Sequence, residues 1–358
     1  MAGISRTSAT LLFLHLLFHT TTSGVSCPSF SDILPCYCTN GGQGSGMTMI
    51  CSGIVDSSQL LNVTKAMKGL VLEKFLLLNS FQKSAVQSTD GNETNEIVSQ
   101  QNERERLPTQ WLSALRIKEL DIQHVLLSSC FMCDEPFTGQ SDFLVSLLAT
   151  HSSLDGHLCN TCNTATKSIS LRELGKVPRL KYLDLSWNDI EVIDGMAFPA
   201  GLAELSKIKL AHNKINRIYD NAFGALTHLD DLDLSNNQLT SISRRVFRPN
   251  LPLQTLDLSW NSLQMLPEGI FNDLRNLKEL KVSYNLFEVL PSSTWTRIPA
   301  NIERVDLRGN FLVCNCTLSW ISRLVGRPST KVSGRCAYPS EVESQELKSS
   351  LTSLRSCS

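Results

Sequence analysis

The sequence predicts an α/β solenoid, bent into a horseshoe with a parallel concave sheet and closed at both ends by disulfide-rich caps. Three observations carry that prediction. One apolar pattern returns about every 24 residues from Leu180 to Leu312, twelve cysteines fall in three groups of four, and the N-terminus reads as a secretory leader.

The pattern is Leu-x-x-Leu-x-Leu-x-x-Asn-x-Leu/Ile-x-x-Ile/Leu, closing on Phe-x-x-Leu or a near relative. The first copy places Leu180, Leu183, Leu185, Asn188, Ile190, Ile193 and Phe198, and the second Leu205, Ile208, Leu210, Asn213, Ile215, Ile218 and Phe223. Further copies start at Leu229, Leu253 and Leu277, with Asn237, Asn261 and Asn285. A shortened sixth starts at Ile302, with Asn310. That period is the signature of a leucine-rich-repeat solenoid. One unit, a short strand and its return, cannot bury its own leucines. Stacking joins the units into one core and aligns their strands in parallel. The asparagine amides, placed where the chain leaves each strand, are expected to satisfy backbone groups of adjacent turns as a buried ladder. Phe198, Phe223, Phe247 and Phe271 are expected to stack as a spine near the convex side.

The first residues supply Arg6, an apolar stretch from Leu11 to Phe18 and the small residues Thr22-Ser23-Gly24, so residues 1–24 read as a signal peptide. No later stretch is long and apolar enough to span a bilayer. The end, Leu354-Arg355-Ser356-Cys357-Ser358, carries no hydrophobic tail of the lipid-anchor type. The expectation is a soluble, secreted, extracellular protein without membrane insertion. Its 33 basic and 34 acidic residues, net −1, argue against a dedicated nucleic-acid binder.

An even cysteine count in a secreted chain predicts disulfides. Cys27, Cys36, Cys38 and Cys51 precede the repeats, and Cys314, Cys316, Cys336 and Cys357 follow them. End repeats would expose their leucines, and small caps lacking a core of their own rely on disulfides. Cys130, Cys133, Cys159 and Cys162 form two C-x-x-C pairs. In a cytosolic chain that spacing would suggest zinc; behind a secretory leader it predicts two disulfides tying an insertion, with no metal bound. Spacing alone allows three connectivities within each group of four.

The C-x-C of each outer group and the segment Asn315-Cys316-Thr317-Leu318-Ser319-Trp320 resemble the flanks of extracellular leucine-rich-repeat proteins, the group that includes Slit, Toll-type and Nogo-type ectodomains. That resemblance implies first-to-third and second-to-fourth pairing: Cys27–Cys38, Cys36–Cys51, Cys314–Cys336 and Cys316–Cys357. It also implies that Trp320 plugs the end of the core. The start, from Cys27-Pro28 to Pro35-Cys36-Tyr37-Cys38, is similar to flanks of arthropod secreted leucine-rich proteins, a set that includes the non-catalytic subunit of a shrimp luciferase.

Along the chain, residues 25–66 read as the N-terminal cysteine-rich cap and 67–179 as degenerate repeats. Leu72, Phe75 and Leu77 give one strand and Ile117, Leu120 and Ile122 another. Between them, residues 82–106 are too polar to order themselves and read as a flexible loop. Residues 126–167 read as the cysteine-containing insertion, in which Phe143 to Leu148 suits a short helix or a further, hidden repeat. Regular repeats occupy 180–312 and the C-terminal cap 313–358. Asn62 and Asn92 head credible glycosylation sequons. The third, at Asn315, has a cysteine in its middle.

Period-two alternation turns the residues between leucines outward on the concave face. The column between the second and third leucines reads Asp184, Lys209, Asp233, Asp257, Lys281, Asp306, and opposite charges in it are placed to pair. The column just before the asparagine reads Trp187, His212, Asn236, Trp260, Tyr284, Gly309. Its aromatic residues are not required by the repeat and suit an interface. The expected partner-binding residues are Trp187, Lys209, His212, Asp233, Trp260 and Tyr284. No nucleophile elbow, phosphate loop or zinc-protease motif is present, so the chain reads as a non-enzyme without cofactor. The expected function is a secreted module that binds a protein ligand on its concave face. The arthropod resemblance implies an alternative, a non-catalytic subunit that stabilises or regulates a secreted enzyme in a luciferase-like complex.

Overall fold

The computed structural model describes residues 26–40, 46–81, 107–127, 135–154, 171–195, 197–340 and 343–349. The predicted leader, the loop 82–106 with Asn92, the cysteines Cys130, Cys133, Cys159 and Cys162, and Cys357 lie outside the described residues.

Among the described residues one twelve-stranded sheet runs the length of the solenoid. It begins with an antiparallel hairpin, β1 (Cys36–Thr39) and β2 (Met47–Ser52). Parallel strands then follow in chain order: β3 (Val71–Leu78), β4 (Arg116–Gln123), β5 (Ser146–Thr150), β6 (Tyr182–Asp184), β7 (Lys207–Lys209), β8 (Asp231–Asp233), β9 (Thr255–Asp257), β10 (Glu279–Lys281), β11 (Arg304–Asp306) and β12 (Lys331–Ser333). From β6 onward each strand is three residues long, and only its middle residue faces inward. Leu183, Ile208, Leu232, Leu256, Leu280 and Val305 are paired in register and buried. Helix α1 (Ser57–Ala66), capped by the Asp56 carboxylate on the Gln59 N–H at 2.8 Å, covers the first turn with Leu60 and Val63.

Residues 143–148 do not form a helix. Ser146–Thr150 is a strand between β4 and β6, with Leu147 aligned to Leu120 on one side and Leu183 on the other. Leu144, Leu147 and Ala149 are buried, so this is the hidden repeat. Ladder bonds on both sides override a weak local preference for helix.

The asparagines lock neighbouring turns together. Asn261 Nδ2 donates to Leu234 O in the preceding repeat at 3.0 Å and to Leu258 O and Ser259 O in its own, while its Oδ1 accepts the Leu239 N–H at 3.0 Å. Asn213, Asn237, Asn285 and Asn310 repeat the same set in their own turns. Asn188 reaches back to Ala149 O at 2.7 Å and accepts from Ser152 N. In the irregular turns Ser80, Val125 and Ser152 occupy the asparagine position. At Ser80 the hydroxyl takes over part of the ladder, accepting the Ile54 N–H at 3.1 Å and donating to Leu78 O at 2.8 Å. Gln140, fully buried, ties down the entry of β4 instead: it accepts from Ile117 N and donates to Leu112 O and Leu115 O.

The convex side carries the expected spine. Phe198 and Phe223 lie 5.3 Å apart and Phe223 and Phe247 6.1 Å apart. The line resumes from Phe271 to Trp295 and on to Trp320, whose indole N–H donates to Leu290 O at 3.0 Å and which packs against the end of the core. Cys27–Cys38, Cys36–Cys51 and Cys314–Cys336 are bonded, the pairing that the flank resemblance implies. Cys316 is also disulfide-bonded.

Replacing Asn261 by Ala leaves three buried carbonyls and one N–H without that partner. At about 1–3 kcal/mol for a buried group left unsatisfied, a loss of about 3 kcal/mol is expected, read as a lower denaturation midpoint with an unchanged secreted sequence. A midpoint equal to the parent's contradicts the ladder's role.

Candidate partner-binding surface

The strands end at Asp184, Lys209, Asp233, Asp257 and Lys281, three residues before Trp187, His212, Asn236, Trp260 and Tyr284. The aromatic column therefore sits on the turn where the chain leaves the sheet, at its rim, and not on the strands themselves. Each of these residues has a left-handed backbone, with φ of 60°, 54°, 53°, 55° and 53°. The twist is imposed from both sides. The residue after it turns inward as the ladder asparagine, and its own N–H donates to the next repeat, as Trp187 N to Ala211 O and Trp260 N to Ser283 O, both at 2.9 Å. What remains free is the side chain, which projects outward. The full column reads Gly53, Asn79, His124, His151, Trp187, His212, Asn236, Trp260, Tyr284, Gly309, all at positive φ. It contains no β-branched residue, since those are the worst fit to that conformation.

Stacked repeats bring these side chains face to face. His124, His151, Trp187 and His212 form one run, with ring centroids 4.6, 5.2 and 3.7 Å apart. Trp260 and Tyr284 form a second, 4.0 Å apart and nearly parallel at 12°. Tyr284 lies flat on Gly309: a Cβ there would stand 2.5 Å from Tyr284 Cδ1. Trp187, Trp260 and Tyr284 remain 50 %, 53 % and 45 % exposed, so half of each ring is available to a partner.

The charged column is only partly a ladder. Lys281 pairs with Asp257 at 3.2 Å, but Lys209 lies over the Tyr182 ring at 5.7 Å and forms no ion pair with Asp233. Tyr182 donates to Asp184 at 2.9 Å; burial first, and the Asp184 charge second, push its phenol well above the ordinary range. In the irregular turns Lys74 bridges Glu119 and Asp121. Outside the column, Met265, Leu286, Val289 and Phe311 are exposed and line an open groove of about 520 Å³ on the flank of the same late repeats.

Sequence models of the leucine-rich-repeat family match residues 178–198, 203–263 and 251–312. The chain is a leucine-rich-repeat solenoid. No curated protein sequence matches it. Among solved structures it is similar to a chain of the octameric complex of Latrophilin 3, Unc5D and FLRT2, in which FLRT2 is the leucine-rich-repeat component. The two are 18 % identical, with a TM-score of 0.52 over 83 % of this chain and 86 % of that one. A chain of the Drosophila Toll–Spatzle complex is 17 % identical, with a TM-score of 0.46 over 84 % of this chain and 43 % of its own length.

Of the six expected contact residues, the leucine-rich-repeat stack brings Trp187 onto His212 and Trp260 onto Tyr284, and leaves Lys209 and Asp233 on the adjoining strand ends. The sequence reading passed over His124 and His151. Phasing Ile117, Leu120 and Ile122 against the repeat already puts His124 in the column; His151 needed the hidden strand. Asn62 is exposed on α1, although Thr64 of its sequon is buried. Among the described residues no cluster of three metal-binding side chains occurs and no helix is long and apolar enough to cross a membrane.

His151 is sandwiched between His124 and Trp187. Desolvation and then the neighbouring His124 lower its pKa below 6.5, against a smaller opposing pull from Asp184. The unfolded chain thus binds more protons than the native one below about pH 6.5, and the native state loses stability as pH falls through that window. A proton NMR titration should place His151 under 6.5, and Trp187→Ala should move it back up; a value at or above 6.5 in the parent contradicts the stack. Gly309→Ala, strained at φ 66° and set against the Tyr284 ring, should cost about 1 kcal/mol or more and change the near-UV dichroism of the Trp260–Tyr284 pair.

Proposed function

We propose that this chain is a secreted recognition module that grips a protein ligand along the rim column of Trp187, His212, Trp260 and Tyr284, with Lys209 and Asp233 as flanking polar contacts. The observation that carries the reading is one of cost. Large rings stand half-exposed at positions where the repeat needs only a residue tolerant of the left-handed conformation. Yet they are already stacked and held by a backbone with hydrogen bonds on both sides. A partner that covers them orders little that is not ordered already, which favours tight binding. The bonded cysteines suit an oxidising, extracellular setting, and an open solenoid rim suits a protein surface better than it suits a small substrate.

Capture of stoichiometric partners from the fluid into which the chain is secreted, followed by binding to variants, tests the reading. Trp260→Ala and Trp187→Ala should leave secretion and the denaturation midpoint nearly unchanged. Each should weaken a protein partner by about 2 kcal/mol, or about 30-fold. Parent-like affinity in both variants would move the site to the convex face or the Met265–Phe311 groove. An enzyme as the stoichiometric partner would favour the supporting-subunit role over a cell-surface or microbial ligand.

A further inference from the structure

We infer that the groove beside the late repeats seats an amphipathic helix of the protein partner, one with a short apolar stripe and a basic residue next to it. The inference rests on the recognition reading above and adds a second, chemically defined contact to it.

The groove arises from a change of residue type along two outward columns. The position after each ladder asparagine reads Asp189, Lys214, Gln238, Ser262, Leu286, Phe311, polar at first and apolar in the last two repeats. Three residues further on, Arg217 and Ser241 give way to Met265 and Val289. The repeat requires none of these, because its inward residues on this flank are Leu263, Phe287 and Leu312, all buried. Met265, Leu286, Val289 and Phe311 face solvent instead, around an open groove of about 520 Å³. A contiguous exposed apolar patch of this kind marks an interaction site. Leu286 follows Tyr284 by two residues, with only the inward Asn285 between them, so the groove starts on the turn that carries the Tyr284 ring.

Two features select a helix, and a third sets its charge. Backbone bonds between repeats, Leu286 N to Leu263 O at 2.9 Å and Phe311 N to Phe287 O at 3.0 Å, keep these turns at ladder spacing. The groove therefore runs about 10 Å across three repeats at ~4.8 Å per step, and two helical turns rise about 11 Å. The same bonds, with Val313 N to Glu288 O at 2.9 Å, spend the donors that an added strand would need. A helix satisfies its own backbone before it meets an apolar floor. Among the described residues Glu288 is the one charged side chain lining the groove, and neither its carboxylate nor the Gln264 carboxamide has a hydrogen-bond or ion-pair partner there. A lysine or arginine beside the apolar stripe supplies the missing donor. A second copy related by a two-fold axis would set Glu288, on the middle repeat of the groove, against its own counterpart. A lipid chain would cover that carboxylate and offer it no donor.

The test uses the full secreted chain and a fluorescein-labelled helical peptide of alanine and glutamine, followed by anisotropy. The peptide carries leucines at i, i+3, i+4 and i+7, with one lysine beside that stripe. One control spreads the same leucines evenly around the helix, and another replaces the lysine by glutamine. The stripe peptide should bind saturably, and the spread peptide at least tenfold more weakly. Met265→Ser combined with Phe311→Ser, side chains 62 % and 53 % exposed, should keep the denaturation midpoint and weaken the stripe peptide at least tenfold. Glu288→Gln should weaken the lysine peptide at least threefold and leave the glutamine peptide unchanged. No saturable binding, equal binding of the spread peptide, or indifference to the double variant overturns the assignment. Self-association of the parent, or its binding to phosphatidylcholine vesicles, that the double variant abolishes gives the groove to a second copy or a lipid surface and overturns it too. With the captured partner, affinity lost in Trp260→Ala but kept in the double variant removes the groove and keeps the rim reading. Parent affinity in Trp187→Ala, Trp260→Ala and the double variant alike removes both.

Discussion

One carboxamide per turn holds this molecule in register. Each ladder asparagine donates to a carbonyl of the turn before it and accepts an N–H from that turn's return, so a single side chain closes bonds that three-residue strands are too short to close alone. Such strands would otherwise be marginal as a sheet. The asparagine must point inward to do this, and the chain must therefore twist just ahead of it. The left-handed residue that results is a consequence of the ladder, and it projects its side chain outward at the rim in every repeat.

That constraint selects residue types without selecting function. Glycine, asparagine and histidine tolerate the twist well, and β-branched residues do not occur there. Tryptophan and tyrosine are admitted but not demanded. Where they occur, the ~4.8 Å repeat spacing is close enough to ring thickness that neighbours stack, and the stack holds half of each ring open to solvent. The core leucines bury apolar area for stability, the ladder converts that stability into positional precision, and the rim presents the precision to a partner.

The regular half of this architecture was legible because its period is strict: leucines, ladder asparagines and the phenylalanine spine all lie where a pattern of about 24 residues puts them. The irregular half was less so for a physical reason. Ser80, Val125 and Ser152 replace ladder asparagines, and the two serine hydroxyls make only some of the bonds an asparagine would. The pattern loses its strongest mark just where β5 lies, and a buried strand of Leu147 and Ala149 resembles a helical segment when read alone. The rim column was visible as a list of aromatic residues, but its place beyond the strands, and its continuation through His151 and His124, depend on the backbone twist and on register across the insertion. The cap pairings came from the resemblance of the flanks, since spacing left three choices open in each.

The central claim is that recognition runs along the rim turn that the ladder holds in place. Hydrogen exchange on the captured complex tests it most directly, since the amides of residues 187, 212, 236, 260 and 284 all lie on that turn. The account predicts slower exchange on binding, concentrated at those turns and the adjoining strand ends at 209 and 233, with the convex spine unchanged. Protection confined to the convex segments around Phe198, Phe223 and Phe247, with the rim amides unaffected, would contradict it.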